Sequence, residues 1–396
     1  MSAPGAGDWQ RDVFRELGGV VAGTEQSASP PPAAAQPAPA PAAAQPAPPP
    51  AAAQPAPAPA PAAAQPAPAA PPLPPPAPVS VPVVMPEVRR TGQRARHGDP
   101  PARRVVRALR KGLSATAKDT ETAVRLARAV QQPITTGRQI AVTSIRGGAG
   151  KSTVAALLSL TFAHYRADPV LAIEADPSLG TLPRLFGAGE VRWTFADLAR
   201  ILDPSMRVTD VTGYLLPFTG GGWLLPGSQG AVGAQLDLDA YRIVMTSLRR
   251  WFGTTVVDCE TLPAEVARTA MTTTQARVLV APATAAGVAT TRTVLDWIGG
   301  LHRSMLPTTV VALAYTSPGM GVDPRKAAEY LGVGGAAVLP LPYDRALAEG
   351  GEIRTALLAQ GTREAALALA AEVMDRAMSR GRGGARGGGT AAGARP

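Results

Sequence analysis

The stretch Ile140–Leu158, IAVTSIRGGAGKSTVAALL, decides the fold. An apolar run ending at Ser144 leads into a glycine-rich loop, RGGAGKST (146–153), and then into a second apolar run with helical composition. Strand, glycine loop and helix in that order are the context of a phosphate-binding loop. Gly147, Gly148 and Gly150 let backbone N–H groups turn inward, where a Cβ would obstruct a phosphate oxygen. Ala149 and Thr153 complete the cradle. The N-terminus of the following helix adds partial positive charge. Lys151 is placed to bridge two phosphates, and the Ser152 hydroxyl to ligate Mg²⁺. A second cation, Arg146, stands in the same loop and has no obvious role within it.

Outward from this loop the chain alternates two patterns. Strand-like runs are expected at 139–144, 169–175, 222–227, 254–259, 276–283, 307–316 and 336–342. Helix-like runs fall between them, including 151–165, 237–251, 285–304 and 362–379. Near-continuous apolar strands separated by helices imply an α/β fold, with a mostly parallel sheet of about seven or eight strands covered on both faces. The last helix is read as starting at Thr362, with Ala365 where a capping box would carry an acid.

The common form of the phosphate loop opens with glycine where Ile145 stands. A cation followed by Gly-Gly-x-Gly-Lys-Ser instead resembles the deviant Walker A loop of the MinD/ParA family of dimerising P-loop ATPases. The resemblance covers roughly residues 138–378. It implies ATP and Mg²⁺ as cofactors, ATP hydrolysis that is slow and stimulated by a partner, and an ATP-dependent homodimer. In it Arg146 corresponds to the signature lysine that reaches the partner subunit's nucleotide. Three further stretches fit the family. VLAIEADPSLG ends a strand in Glu174 and Asp176, and Asp176 corresponds to the residue that positions the attacking water, a task suited to a carboxylate. TTVVDCE ends in Asp258, corresponding to the Walker B aspartate that holds Mg²⁺ through water. LPLPYDRALAEGG resembles the late loop packed on adenine, with Pro342 and Asp344 as base contacts. Tyr315, Thr316 and Ser317 stand where relatives often carry an adenine-reading asparagine. Within the family, the long spacer and the late loop look most like the EspI-like ATPases of type VII secretion loci.

Composition separates the ATPase region from its flanks. Most of the 42 prolines of the 396-residue chain lie between Ser29 and Pro86. There AAAQPAP recurs, which blocks helix and sheet and favours a polyproline II spacer. The expected organisation is a short helix or docking peptide at 1–27, a disordered Pro/Ala-rich linker at 28–87, a basic and partly helical segment at 88–136, the ATPase domain at 137–380 and a disordered Gly/Arg tail at 381–396. Within 1–27, Trp9, Val13 and Leu17 share one helical face. They fit either a frayed terminus or a peptide that folds on a protein partner. The net charge of +10 is concentrated between Val88 and Arg138, where 13 lysines and arginines face 3 acids. That segment suits non-specific DNA or an anionic membrane, or a solvated helix on the domain edge. It has no aromatic residue for base stacking.

A single cysteine, Cys259, excludes an internal disulfide and any CxxC metal site. Without a histidine nearby in sequence it reads as a small buried filler rather than a nucleophile. No apolar leader opens the chain and no run of about 18 apolar residues appears, so no transmembrane segment is expected. The expected location is cytoplasmic, with peripheral contact at membrane or nucleoid left open. The single cysteine does not suit the nitrogenase iron-protein branch, the tail lacks the tyrosines of the autokinases, and it is too glycine-rich for MinD's membrane helix. Two functions compete. One is an ATP-driven dimer switch that positions or regulates a partner, in secretion or, as in ParA, in DNA partitioning. The other is a basic tether for nucleic acid or membrane with a relic nucleotide site.

Overall fold

The computed structural model describes residues 77–83, 96–104, 106, 117–178, 180–319 and 321–385. The 8–18 helix, nearly all of the proline-rich stretch, much of the basic segment and the tail beyond 385 lie outside the described residues.

Ten strands are present among them: β1 Val81–Pro82, β2 Arg138–Ser144, β3 Val170–Ala175, β4 Glu190–Val191, β5 Leu216–Phe218, β6 Gly222–Leu225, β7 Thr254–Cys259, β8 Ala276–Pro282, β9 Thr309–Ala314 and β10 Ala337–Leu341. Eight of them form one sheet in the order β10-β9-β8-β2-β7-β3-β6-β5. Every pairing in it is parallel except β5 with β6. The expected mostly parallel sheet is therefore present, closed on one side by a short antiparallel strand. Both edge strands carry a proline, Pro217 in β5 and Pro340 in β10. Proline is tolerated there because an edge strand leaves some N–H groups outside the ladder, and it discourages pairing with another chain.

Strand β2 lies at the centre, with β7 on one side and β8 on the other. The chain leaves β2 toward β3 on the β7 side and returns later to β8 on the other. This reversal opens a crevice at the carboxyl end of β2, where doubly wound sheets bind ligands. The glycine-rich loop emerges into that crevice.

Side chains alternate between two cores. Ile140 and Val142 of β2 face one cluster with Val154, Leu158 and Phe162 of the helix Lys151–Tyr165 and Val373 of the helix Gln360–Ala385. Ala141 faces the other, with Phe195, Tyr241, Val244, Leu295 and Ile298. The helix Lys151–Tyr165 is buried nearly all round, from Val154 through Leu160 and on to Phe162 and Ala163. A helix apolar on every side needs cover on every side. The sheet supplies one side of that cover, and Gln360–Ala385 supplies another.

Three features differ from expectation. The last helix starts at Gln360 rather than Thr362 and runs to Ala385. Thr362 sits inside its first turn, buried, with a hydroxyl that finds no partner. The helix Ala117–Val130, expected in the basic segment ahead of the ATPase domain, packs on the core through Leu126, Ala129 and Val130. Finally, β1 pairs with β4, so the end of the proline-rich stretch is held by a short antiparallel ladder. The Gln229 side-chain amide reinforces it, donating to the Val79 carbonyl at 2.7 Å.

Candidate functional site

The glycine-rich loop follows β2 without a break. Ser144 Oγ donates to the Arg146 carbonyl at 2.9 Å and fixes the start of the turn. Gly148 and Gly150 take φ of 75° and 89°, in the left-handed region that favours glycine. A Cβ added at Gly147 or Gly148 would meet no protein atom within 4 Å, so the hollow of the loop is open. Ala149 is buried beneath it, and Ser152 and Thr153 are half-buried at its rim.

Lys151 is the first residue of its helix and is 8 % exposed. Its ammonium donates to Asp176 Oδ2 at 2.9 Å and to Asp258 Oδ1 at 3.2 Å. The three residues come from β2–helix, β3–loop and β7, far apart in sequence. Burial alone would lower the Lys151 pKa, but the Asp258 and Asp176 carboxylates outweigh it and the net shift is upward. Asp258 is fully buried at the point where β7 registers with Val142 of β2 and Glu174 of β3. Burial pushes its carboxyl upward, with Lys151 and the neighbouring Ser152 hydroxyl opposing. Its Oδ2 is buried without a hydrogen-bond partner. A buried, unpartnered carboxylate oxygen beside a serine hydroxyl is the donor set Mg²⁺ takes when it is held by one carboxylate, water and phosphate. The residues present therefore fit the cation and the nucleotide phosphates.

Glu174 and Asp176 divide their work in a way the sequence does not reveal. Asp176 faces Lys151. Glu174 is fully buried and accepts from the backbone N–H of Leu182 at 2.9 Å and of Gly227 at 3.0 Å. It thereby ties the loop after Asp176 to the end of β6. Ser228 Oγ adds a bond to the Pro177 carbonyl.

The loop after β7 is stitched to β2. Thr143 Oγ1 donates to the Glu260 carbonyl at 2.7 Å, and Leu262 N donates to the Ser144 carbonyl at 2.9 Å. Glu260 lies close enough to feel the charges of the same cluster. Burial raises its pKa, the Asp176 charge adds to this, and Lys151 opposes. No local pattern in the sequence marks Glu260 as a neighbour of these charges. Cys259 is buried, and burial raises its thiol pKa far above the ordinary range, with Asp258 adding to the shift. That is the environment of an inert filler.

Arg146 is exposed on the rim and makes no ion pair among the described residues.

Beside the loop lies a small cleft of about 90 Å³, lined by Thr153, Tyr315, Thr316, Pro342, Tyr343 and Leu347 among others. Pro342 belongs to its wall. Asp344 does too, but both its carboxylate oxygens are engaged by backbone: Oδ1 accepts from Ala346 N and Oδ2 from Ala359 N, each at 2.8 Å. With 2 % exposure it holds the wall in place rather than presenting a free carboxylate to a base. A larger cleft of about 500 Å³ opens at the opposite end of the sheet, around Gly137, Asp168, Arg249 and Trp251. It contains no phosphate-loop residue, whereas Gly150, Thr153 and Val154 line the smaller one.

The fold has a MinD/ParA-like architecture, with the glycine-rich loop at the carboxyl end of its central strand. The structure superposes on a ParA family ATPase from Chlorobium tepidum TLS with a TM-score of 0.51 at 12% identity, over 59% of this chain and 98% of that one. At that identity the likeness is one of fold. The septum site-determining protein MinD of Pyrococcus horikoshii OT3, solved with Mg-ADP, aligns at 21% identity and a TM-score of 0.47, over 62% of this chain and 98% of that one. No protein-family model matches the chain. By sequence the chain is similar to the ESX-1 secretion-associated protein EspI of two Mycobacterium tuberculosis strains, at 27% identity over 248 residues. That alignment takes in 60% of this chain and 36% of EspI, so the chain spans well under half the length of these curated relatives. Among the described residues no helix is long and apolar enough to cross a membrane.

Proposed function

We propose that this chain binds ATP with Mg²⁺ at the 146–153 loop and hydrolyses it slowly, as a switch that dimerises with ATP and is released by hydrolysis. The observation that carries this is the convergence of Lys151, Asp176 and Asp258 at the mouth of an open glycine cradle. A relic site would have little reason to keep a buried lysine between two carboxylates, since an ion pair taken out of water is a poor source of stability.

In this reading the backbone N–H groups of 147–151 and the Lys151 ammonium hold the phosphates. Ser152 and Asp258 hold the cation, which when bound supplies positive charge to the phosphate oxygens. Lys151 is shared: phosphate oxygens compete with the two carboxylates for the same ammonium, and Asp176 is freed as Lys151 turns to them. Asp176 then orients the attacking water and accepts its proton. Glu174 keeps Asp176 in place through the Leu182 and Gly227 bonds. Arg146, free on the rim, is the group available to a second subunit's nucleotide. The similarity to EspI supports a setting in type VII secretion, with the partner engaged through the N-terminal region.

The test is ATP binding, turnover and oligomeric state by calorimetry, phosphate release and light scattering. Wild-type protein should bind MgATP and dimerise with it. Lys151→Ala should lose both, and Asp176→Ala should bind ATP, lose turnover and remain dimeric. A chain that stays monomeric with ATP in the wild type and in Asp176→Ala would sink the switch. DNA or liposome binding indifferent to ATP would favour the tether instead.

A further inference from the structure

The wall of the small cleft is held from behind by residues that lie upstream of the whole P-loop fold. Asp344 bridges Ala346 N, in the turn that carries Leu347, and Ala359 N, just ahead of the last helix. The segment 96–99 docks on this bridge. Gly98 N donates to the Leu357 carbonyl at 2.7 Å, and Asp99 Oδ2 accepts from Gln360 N at 3.3 Å. Asp99 thus serves the first N–H of the helix Gln360–Ala385 in place of a local cap. Asp99 is 6 % exposed, and its own N–H is taken by His97 Nδ1 at 3.0 Å. Gly98 is buried so closely that a Cβ there would stand 2.3 Å from Asp344 Oδ1 and 2.5 Å from Ala359 N. Only glycine lets the chain pass this bridge. Arg96 and Glu349 add an exposed ion pair at 3.4 Å, which contributes little.

We propose that Gly98 and Asp99 are positioning residues for the base subsite: through the 357–360 turn and Asp344 they set the wall on which the base of the nucleotide rests. This inference rests on the nucleotide reading above. It makes the basic segment part of the binding site, so that a partner or surface pulling residues 96–99 from their dock weakens the grip on the base and leaves the phosphate cradle untouched. The cradle shares none of these contacts. Its residues are fixed by β2, β7 and the helix Lys151–Tyr165.

That separation provides the test. Binding of ATP and of inorganic tripolyphosphate, each with Mg²⁺, is measured by calorimetry on the full chain carrying Gly98→Val, Asp99→Ala or Asp99→Asn, with the melting temperature of each. Gly98→Val and Asp99→Ala should weaken ATP by about tenfold, the worth of one lost buried hydrogen bond. Tripolyphosphate affinity should change by less than about twofold, because the phosphate contacts stay in place. Asp99→Asn keeps an acceptor for Gln360 N and should bind ATP as the wild type does. Equal loss of both ligands in step with the melting temperature would overturn the proposal in favour of a merely structural role. ATP affinity unchanged in both Gly98→Val and Asp99→Ala would overturn it too. Failure of the wild type to bind either ligand would instead remove the nucleotide reading itself, and this inference with it.

Discussion

Glu174 makes the pH dependence of stability a measure of how this site is built. Its carboxyl is wholly buried, and burial pushes it from 4.5 up to about 7, with the Leu182 and Gly227 N–H groups opposing and the Asp258 charge adding to the rise. Between those two values the folded protein holds a proton that the unfolded chain has released. Stability from this group is therefore highest below the unfolded pKa, falls as pH rises through the window, and is flat above the folded pKa. Each pH unit is worth 1.36 kcal/mol, so the loss across the window is about 3 kcal/mol. Glu174→Gln abolishes the titration and keeps the shape. Its single oxygen serves only one of the two N–H donors, a pH-independent cost of about 1–3 kcal/mol. Urea unfolding of both proteins from pH 4.5 to pH 8 in magnesium-free buffer isolates the term, because other titrating groups cancel in the difference. The stability of wild type minus that of the variant should fall by about 3 kcal/mol from the acid end to neutrality. A difference that stays flat would refute burial as the dominant influence on Glu174.

Two further outcomes follow from the same cluster. Arg146→Ala should bind MgATP within about twofold of wild type yet fail to dimerise with it, as read by light scattering, because its guanidinium makes no ion pair among the described residues; identical behaviour of Arg146→Ala and Lys151→Ala would confine both cations to one loop. Cys259 should react with a thiol reagent at least about a hundredfold more slowly in the native protein than in urea, since attack needs a thiolate and access; rapid native labelling would contradict its burial.

Much of the architecture was legible because it is local. The run TTVVDC matches β7 residue for residue, and the helix Lys151–Tyr165 begins and ends where its apolar pattern does. Both are set by burial on every side, which leaves a continuous apolar signature. Strand β5 escaped because three residues including Pro217 carry no period, and its place comes from pairing with β6. The helix Phe195–Ile201 has a readable start, a Thr194–Asp197 capping box. At the site, the loop and its lysine were evident from residue type and spacing alone. The split between Glu174 and Asp176 was not, because which of two neighbouring acids faces Lys151 depends on Leu182 and Gly227 coming back across the strand end. For the same reason Asp344 read as a base contact. Its engagement by Ala359 involves a residue 15 positions on, and no local pattern announces it.

The helix Ala117–Val130 bears on how the protein can be cut. A fragment trimmed to the start of β2 would keep the whole eight-stranded sheet, yet it would strip Leu126, Ala129 and Val130 from the flank of the terminal helix Gln360–Ala385. The uncovered apolar strip would lie on the element that shields the phosphate-loop helix. Such a fragment invites self-association through bared hydrocarbon, which light scattering would register as an oligomer that ignores nucleotide. Cutting ahead of residue 77 instead keeps that helix, the Val81–Pro82 ladder and the Gly98 dock together, so any assembly then seen with ATP does not come from a bared core face.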